Sequence, residues 1–243
     1  MGPIDLDRGQ SSPSFHHDDP AGHDKAGYRA RGRCGVVAAI FIDRGETGSM
    51  RTSFAAFRVT ICGIPELGEH GAAGVTHVLS ILDPEWPDPP AFAGFAPHRR
   101  LALRFHDIID PTPGWLAPSQ GDVERLLEFG RELNQPAQSH LLVHCHAGVS
   151  RSTAAAALIL AQAYPERPAG EALDAVARMR PRAWPNLRIL EFGDALLGRD
   201  GEIVAAAAAL YRRVIDRDPF IGEAMIDGGR GREVIAALGT RSG

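Results

Sequence analysis

The chain has 243 residues, 44% of them hydrophobic, which suits one domain with appendages and a sizeable core. Its formal net charge of −4 gives no global basic field and speaks against nucleic acid as a partner. No apolar run reaches the roughly 18 residues that crossing a bilayer takes, and three scattered cysteines, Cys34, Cys62 and Cys145, are too few for a disulfide framework. A reducing cytoplasm, with no membrane partner, is the expected setting.

Residues 1–50 hold Gly, Pro, Ser, His and Asp in no periodic order, interrupted by the short apolar patch "CGVVAAIFI". They read as a disordered extension. Asp5, Asp7 and Arg8 have no apolar core behind them, so the N-terminus does not read as a secretory signal. Met50 opens a better-patterned stretch and is a candidate start. His16, His17, Asp18, Asp19 and His23 are metal-binding residue types without a supporting framework, and they read as a solvated tail. No metal and no cofactor is expected.

Residues 51–220 carry the pattern of one domain. "FRVTICGI", from Phe57, reads as a strand, Thr76–Leu82 as a second and Arg99–Phe105 as a third, with a proline-rich loop before the last. In "SQGDVERLLEFGREL" the apolar residues Val123, Leu126, Leu127 and Leu133 fall at helical spacing. Ser119 and Asp122 open that segment like a capping box with Asp in place of Glu. "HLLVHC" suits a central strand covered on both faces. Helices are then expected at Ser152–Tyr164, Ala169–Met179, Leu187–Leu197 and Glu202–Ile215, and residues 221–243 read as a short C-terminal tail, with a short helix and a frayed end. Strands that alternate with helices imply an α/β fold, a central, mostly parallel sheet flanked by helices.

The chemistry concentrates in "LLVHCHAGVSRSTAAAALIL". In α/β sheets ligands sit beyond the carboxyl ends of the strands, and Cys145 ends one. The loop behind it leads into a helix whose first N–H groups and positive dipole end favour an anion. Gly148 permits an unusual turn. Ala147, Val149 and Ser150 are small enough for their amides to line an anion nest. Arg151 supplies a bidentate fork suited to phosphate or sulfate oxygens. A thiol beside a helix N-terminus and an arginine is favoured as the nucleophilic thiolate. A cysteine by itself in such a place is usually a small buried hydrophobe; the glycine and arginine around it argue for the functional reading.

His144-Cys145-His146-Ala147-Gly148-Val149-Ser150-Arg151-Ser152 resembles the H-C-x5-R-S/T signature of the cysteine-dependent protein tyrosine phosphatases, and its "AGVSRS" form is most similar to the dual-specificity branch and its bacterial relatives. The resemblance implies a dual-specificity-phosphatase-like fold and a phosphoric monoester hydrolase acting on phosphoproteins or phosphopeptides, at phosphotyrosine and also phosphoserine or phosphothreonine, through a cysteinyl-phosphate. Cys145 would attack phosphorus. His146 to Ser150 and Arg151 would bind the phosphate oxygens, Ser152 would help the thiolate leave, and His144 would order the loop. Expelling an alkoxide or phenolate needs a proton donor within reach, and the family places an aspartate upstream. Asp107, which directly follows the third strand, is preferred; Asp110 is the alternative. The loop "DPTPGWLAP" would move to bring the acid in on substrate binding. Asn186, in the "RPRAWPNLRILEF" segment that also resembles the family, would brace the phosphate loop; by itself Pro185-Asn186 is a helix-start signal.

The deep-pocket tyrosine-recognition loop of the larger phosphotyrosine-specific enzymes is not found, nor is a lysine in the cradle as in phosphatases of highly charged inositol lipids. A shallow, neutral-rimmed site fits phosphoproteins better. Two other functions compete. A phosphate-binding module without turnover would bind a phosphopeptide and release no phosphate. Another Cys-x5-Arg thiolate enzyme is the second, such as a sulfurtransferase, which would not need Asp107. His70, His77, His98 and His140 lack metal-ligand spacing, His106 adjoins the acid, and Cys62 reads as core rather than as a redox partner of Cys145. Trp86, Trp115 and Trp184 flank the site elements as cleft walls or core caps, and Arg178, Arg180 and Arg182 read as a solvated helix end.

Overall fold

A computed structural model describes residues 57–133 and 139–239. The N-terminal segment 1–50 and its histidine cluster lie outside the described residues. Four strands, β1 (Arg58–Gly63), β2 (His77–Leu82), β3 (Arg99–Arg104) and β4 (His140–Cys145), form one sheet in the order β1-β4-β2-β3. Every pairing is parallel, and the register sets Gly63 beside Cys145 and Ser80 beside His144. The expected parallel α/β architecture is the one observed.

Alternation along the strands divides the core. Val59, Ile61, Leu79, Ile81, Leu141, Val143 and Cys145 face the main apolar cluster. That cluster is built with α1 (Gln120–Glu132), α2 (Arg151–Ala163), α3 (Ala169–Met179), α4 (Leu187–Leu196) and α5 (Glu202–Arg217). Cys62, Val78 and Leu142 face a smaller cluster on the other side, under two 3-10 segments, Ile64–His70 and Pro90–Gly94. Cys62 and Cys145 therefore sit on opposite faces of the sheet, in keeping with Cys62 as a core residue.

The expected helices form nearly where periodicity put them. Ser119 accepts from the Asp122 amide and donates its own N–H to the Asp122 carboxylate, so the Asp form of the capping box starts α1. α2 is the central helix, buried from Arg151 to Ala161. Its alanines let neighbours come close: a Cβ on Gly193 of α4 would lie 2.2 Å from a Leu158 methyl carbon. β3 is the exposed edge, and its arginines Arg99, Arg100 and Arg104 pair with Glu132 and Asp88, a charged edge that resists pairing with another chain.

The C-terminal segment holds the short helix expected there, Gly231–Leu238 (α7), and a second one before it, Pro219–Asp227 (α6), that was not; Glu233 of α7 is fully buried. Among the described residues no helix is long and apolar enough to cross a membrane.

Candidate active site

The parallel register delivers Cys145 to the end of the central strand β4, next to β1 and two positions from the start of the Gly148 turn. Between Cys145 and α2 the chain makes a tight loop whose carbonyls are all held from outside. The His146 carbonyl accepts from the Ile64 amide at 3.0 Å and the Val149 carbonyl from the Trp184 amide at 2.9 Å. The Ala147 and Gly148 carbonyls both accept from Arg180, through Nη2 and Nε, each at 3.1 Å. The Ser150 carbonyl accepts from the amides of Ala154, at 3.0 Å, and Asn186, at 3.3 Å. A trans peptide points its N–H opposite to its C=O, and the described residues contain no cis bond. Five outward carbonyls thus turn the amides of residues 147–151 to the inner side, a ring of donors completed by the N-terminus of α2.

Gly148 is the residue that permits this. Its φ is +69°, and a Cβ there would lie 2.6 Å from the Cys62 carbonyl carbon. Arg180 is buried beneath the loop. It pairs through Nη1 with both Glu66 oxygens at 3.0 Å, while Glu66 also accepts the Gly63 amide at 2.6 Å. This corrects the reading of Arg180 as part of a solvated helix end; Arg178 and Arg182 are exposed.

Arg151 is buried at the first turn of α2. Its Nη1 donates to Asp83 Oδ1 at 2.6 Å and to the Phe105 carbonyl at 2.7 Å, and its buried Nε has no hydrogen-bond partner. Cys145 Sγ lies 3.2 Å from Ser152 Oγ. His144 is fully buried on the other face, bonded through Nε2 to Ser80 Oγ at 2.7 Å. Burial holds its imidazole down to about 4, against an opposing contribution from the Cys145 backbone, so it is neutral at pH 7. His146 packs its ring on Trp86, centroids 4.4 Å apart, and its Nε2 lies 3.6 Å from Asp83 Oδ2.

Asp107 is already seated on the loop. Its Oδ1 accepts from Ser150 Oγ at 2.7 Å and from Asn186 Nδ2 at 2.8 Å, and it lies 3.4 Å from Arg230 Nη1. Burial alone would raise this carboxyl; Arg230, Arg151 and the two hydrogen bonds outweigh it and hold it below its usual range. Asp110 is more than half exposed and pairs with Arg232 at 3.1 Å, away from the loop. Asn186 joins the two halves: its amide reaches Ser150, its Nδ2 reaches Asp107, and its Oδ1 caps α4 by accepting from Ile189 at 3.1 Å. The loop 107–115 is closed at its base by His106, whose amide donates to the Leu116 carbonyl at 2.7 Å and whose Nδ1 accepts from the Leu116 amide at 2.9 Å.

Of the tryptophans, Trp184 is in the core, stacked on Tyr211, while Trp86 and Trp115 are exposed against His146 and His106. His140 is buried between Thr60 and the Ala73 carbonyl. Among the described residues no group of acidic, histidine and cysteine side chains is placed to hold a metal ion. Sequence reasoning missed Asp83, Arg230 and Glu233. Asp83 had a signal, its place directly after the end of a strand that pairs with β4; Arg230 and Glu233 had none.

This geometry can be set beside known proteins. Structural neighbours of the chain include phosphatases, dual-specificity phosphatases and PTPMT1 among them. Human DUSP28 is 18% identical with a TM-score of 0.45, over 58% of this chain and 94% of its own. A mouse putative dual specificity phosphatase complexed with zinc tungstate is 18% identical with a TM-score of 0.45, over 66% and 96%. The Yvh1 phosphatase domain from Chaetomium thermophilum is 22% identical with a TM-score of 0.40, over 61% and 94%. No family model and no curated protein matches the sequence.

Proposed function

We propose that this chain is a phosphoprotein phosphatase that hydrolyses phosphotyrosine, and phosphoserine or phosphothreonine, through a cysteinyl-phosphate on Cys145. The observation that carries the reading is the loop after Cys145, whose carbonyls are held outward from His146 to Ser150 while Arg151 keeps a buried, unpartnered Nε beside it. A tetrahedral oxyanion supplies the acceptors that such a ring of donors requires.

In the first step Cys145 Sγ attacks phosphorus and the ester P–O bond breaks. The leaving oxygen takes the electron pair and a proton from Asp107. In the second step a water oxygen attacks phosphorus and gives its proton to Asp107. The P–S bond then breaks, the sulfur keeps the pair, and Ser152 Oγ, 3.2 Å away, donates a hydrogen bond to it. Arg151 and the inward amides meet the charge on the equatorial oxygens in both steps. Asp107, hydrogen-bonded to that loop through Ser150, favours this reading over sulfur transfer, which has no use for a carboxyl acid there. The exposed Trp86 and Trp115 suit an apolar or aromatic neighbour of the phosphate better than a polyanionic lipid headgroup.

The test is a rapid quench of the wild type and Cys145→Ser with a radiolabelled phosphotyrosine peptide, beside vanadate or phosphate binding. The expected result is label trapped on the wild-type protein when it is quenched in denaturant near neutral pH and lost in mild acid, as a P–S bond is, and no turnover but retained oxyanion binding in the variant. Normal turnover by Cys145→Ser would overturn the proposal. Binding without release of phosphate by the wild type would assign a binding module instead.

A further inference from the structure

The C-terminal helices have a contact that the reaction above does not use. The Nη1 of Arg230, in the link between α6 and α7, donates to Ser150 Oγ at 2.9 Å and lies 3.4 Å from Asp107 Oδ1. Ser150 in turn donates to that same Asp107 oxygen. At its other edge the guanidinium is fixed: Nε and Nη2 donate to the two oxygens of Glu233, each at 2.7 Å. Glu233 is fully buried and also accepts from the Trp184 indole and, at 3.0 Å, from the Leu187 amide. The Trp184 amide, together with Thr153 Oγ1, holds the Val149 carbonyl outward. The hairpin is thus locked to the cradle by one buried carboxylate, and the lock leaves the guanidinium a single orientation, aimed at Asp107.

We propose that the C-terminal hairpin, Pro219–Leu238, is part of the catalytic unit, and that Arg230 is a positioning residue that fixes the Asp107 carboxylate against Ser150. This rests on the reading of Asp107 as the acid and base. The charged or titratable groups that face Asp107 are Arg230 from the hairpin, Arg151 from α2, Glu233 from α7 behind Arg230, and Tyr211 from α5. Asn186 and Ser150 are its neutral donors. Burial acts against the charge, and Arg230 is the largest contribution that opposes burial. In the first step the doubly charged phosphate works against Arg230 and helps Asp107 keep its proton. In the second step Asp107 must take a proton from water, and a carboxylate kept charged and aimed is the form required.

The experiment is the pH profile of kcat/KM on the full chain with phenyl phosphate, a poor leaving group, for wild type, Arg230→Lys, Arg230→Gln, Asp107→Asn and the double variant Arg230→Gln/Glu233→Gln. The double variant keeps the buried pair neutral where the single variant would strand a buried carboxylate and fail to fold. The expected result is that loss of the Arg230 charge moves the alkaline limb up by about one pH unit or more, and that Arg230→Lys keeps it near the wild-type position. A uniform loss of rate with the limb unmoved would overturn the proposal and leave Arg230 structural. If Asp107→Asn abolishes the limb while the double variant leaves it in place, only the role of Arg230 fails. If Asp107→Asn leaves the limb as in the wild type, the reading of Asp107 fails with it.

Discussion

Arg180 lies directly beneath Gly148, its Nε donating to the Gly148 carbonyl at 3.1 Å while its Nη1 holds both oxygens of Glu66. The loop after Cys145 is shaped from behind, by a charge already neutralised by a partner, so that pairing does not draw on the charge in front. Arg180→Ala would free two carbonyls to turn and would leave Glu66 with an unpaired, mostly buried charge. The expected cost is about 3 kcal/mol of stability and at least a 100-fold drop in kcat/KM. Gly148→Ala would have its Cβ against the Cys62 backbone at a positive φ, and should lose activity to a similar degree. Denaturant unfolding and steady-state kinetics on the two variants check both expectations. Activity within a factor of a few of wild type would mean that the loop does not need its outward carbonyls.

The position of the acid is tested by leaving group. Asp107 is hydrogen-bonded to the loop, whereas Asp110 is paired with Arg232 outside it. Asp107→Asn should slow hydrolysis of alkyl and phenyl phosphates by about 10² to 10⁴, and that of p-nitrophenyl phosphate much less, because its phenolate leaves without a proton. Asp110→Asn should leave both rates within about twofold, since an exposed ion pair contributes little. A steeper dependence on leaving group in the Asp110 variant would reverse the assignment.

What the sequence made legible follows the range over which each signal acts. Strand alternation, helical periodicity and the cap at Ser119 are local, and β4, α1 and α3 fall where they were expected. The Cys145–Ser152 segment is local too, because a strand end, a turn and a helix start are consecutive. Asp107 was reachable because it follows a strand, but its place on the loop was expected to need a motion, and the structure has it docked through Ser150 and Asn186. The rest depends on strand order. Asp83 meets Arg151 across 68 residues because β2 pairs with β4, and Arg230 meets Ser150 across 80 because the hairpin returns over α5. An arginine or an aspartate in a loop carries no mark of the partner it will meet at that distance. The same holds for Arg180, whose burial comes from Glu66 and two carbonyls rather than from its own neighbours in sequence.

Ser152 Oγ lies 3.2 Å from Cys145 Sγ, and under the proposed reaction a hydroxyl there would stabilise the sulfur as a leaving group, which matters when the P–S bond breaks and little when it forms. Ser152→Ala should lower the second-step rate by about tenfold, the worth of one hydrogen bond to a charged sulfur, and should therefore make the phosphoenzyme accumulate. A burst of phenolate release followed by a slower steady state would show it. If the burst and the steady state fall together, Ser152 acts on attack rather than on departure.

His144 ties stability to pH. In the folded chain its imidazole is held to about 4, first by burial, whereas in the unfolded chain it titrates near 6.5. Between those values the unfolded state binds a proton that the folded state refuses, so stability from this residue is full above about 6.5 and is lost as pH falls through the window, by roughly 3 kcal/mol at pH 4. His70, His77 and His140 are lowered as well and add to the same slope, while Glu233, raised chiefly by burial, works against it at lower pH. His144→Gln, with an amide able to meet Ser80 Oγ, removes the largest single contribution among these histidines. Urea unfolding at pH 7 and pH 5 should then show a smaller loss of stability in the variant than in the wild type. An equal loss in both would mean that His144 takes up its proton in the folded chain as readily as in the unfolded one.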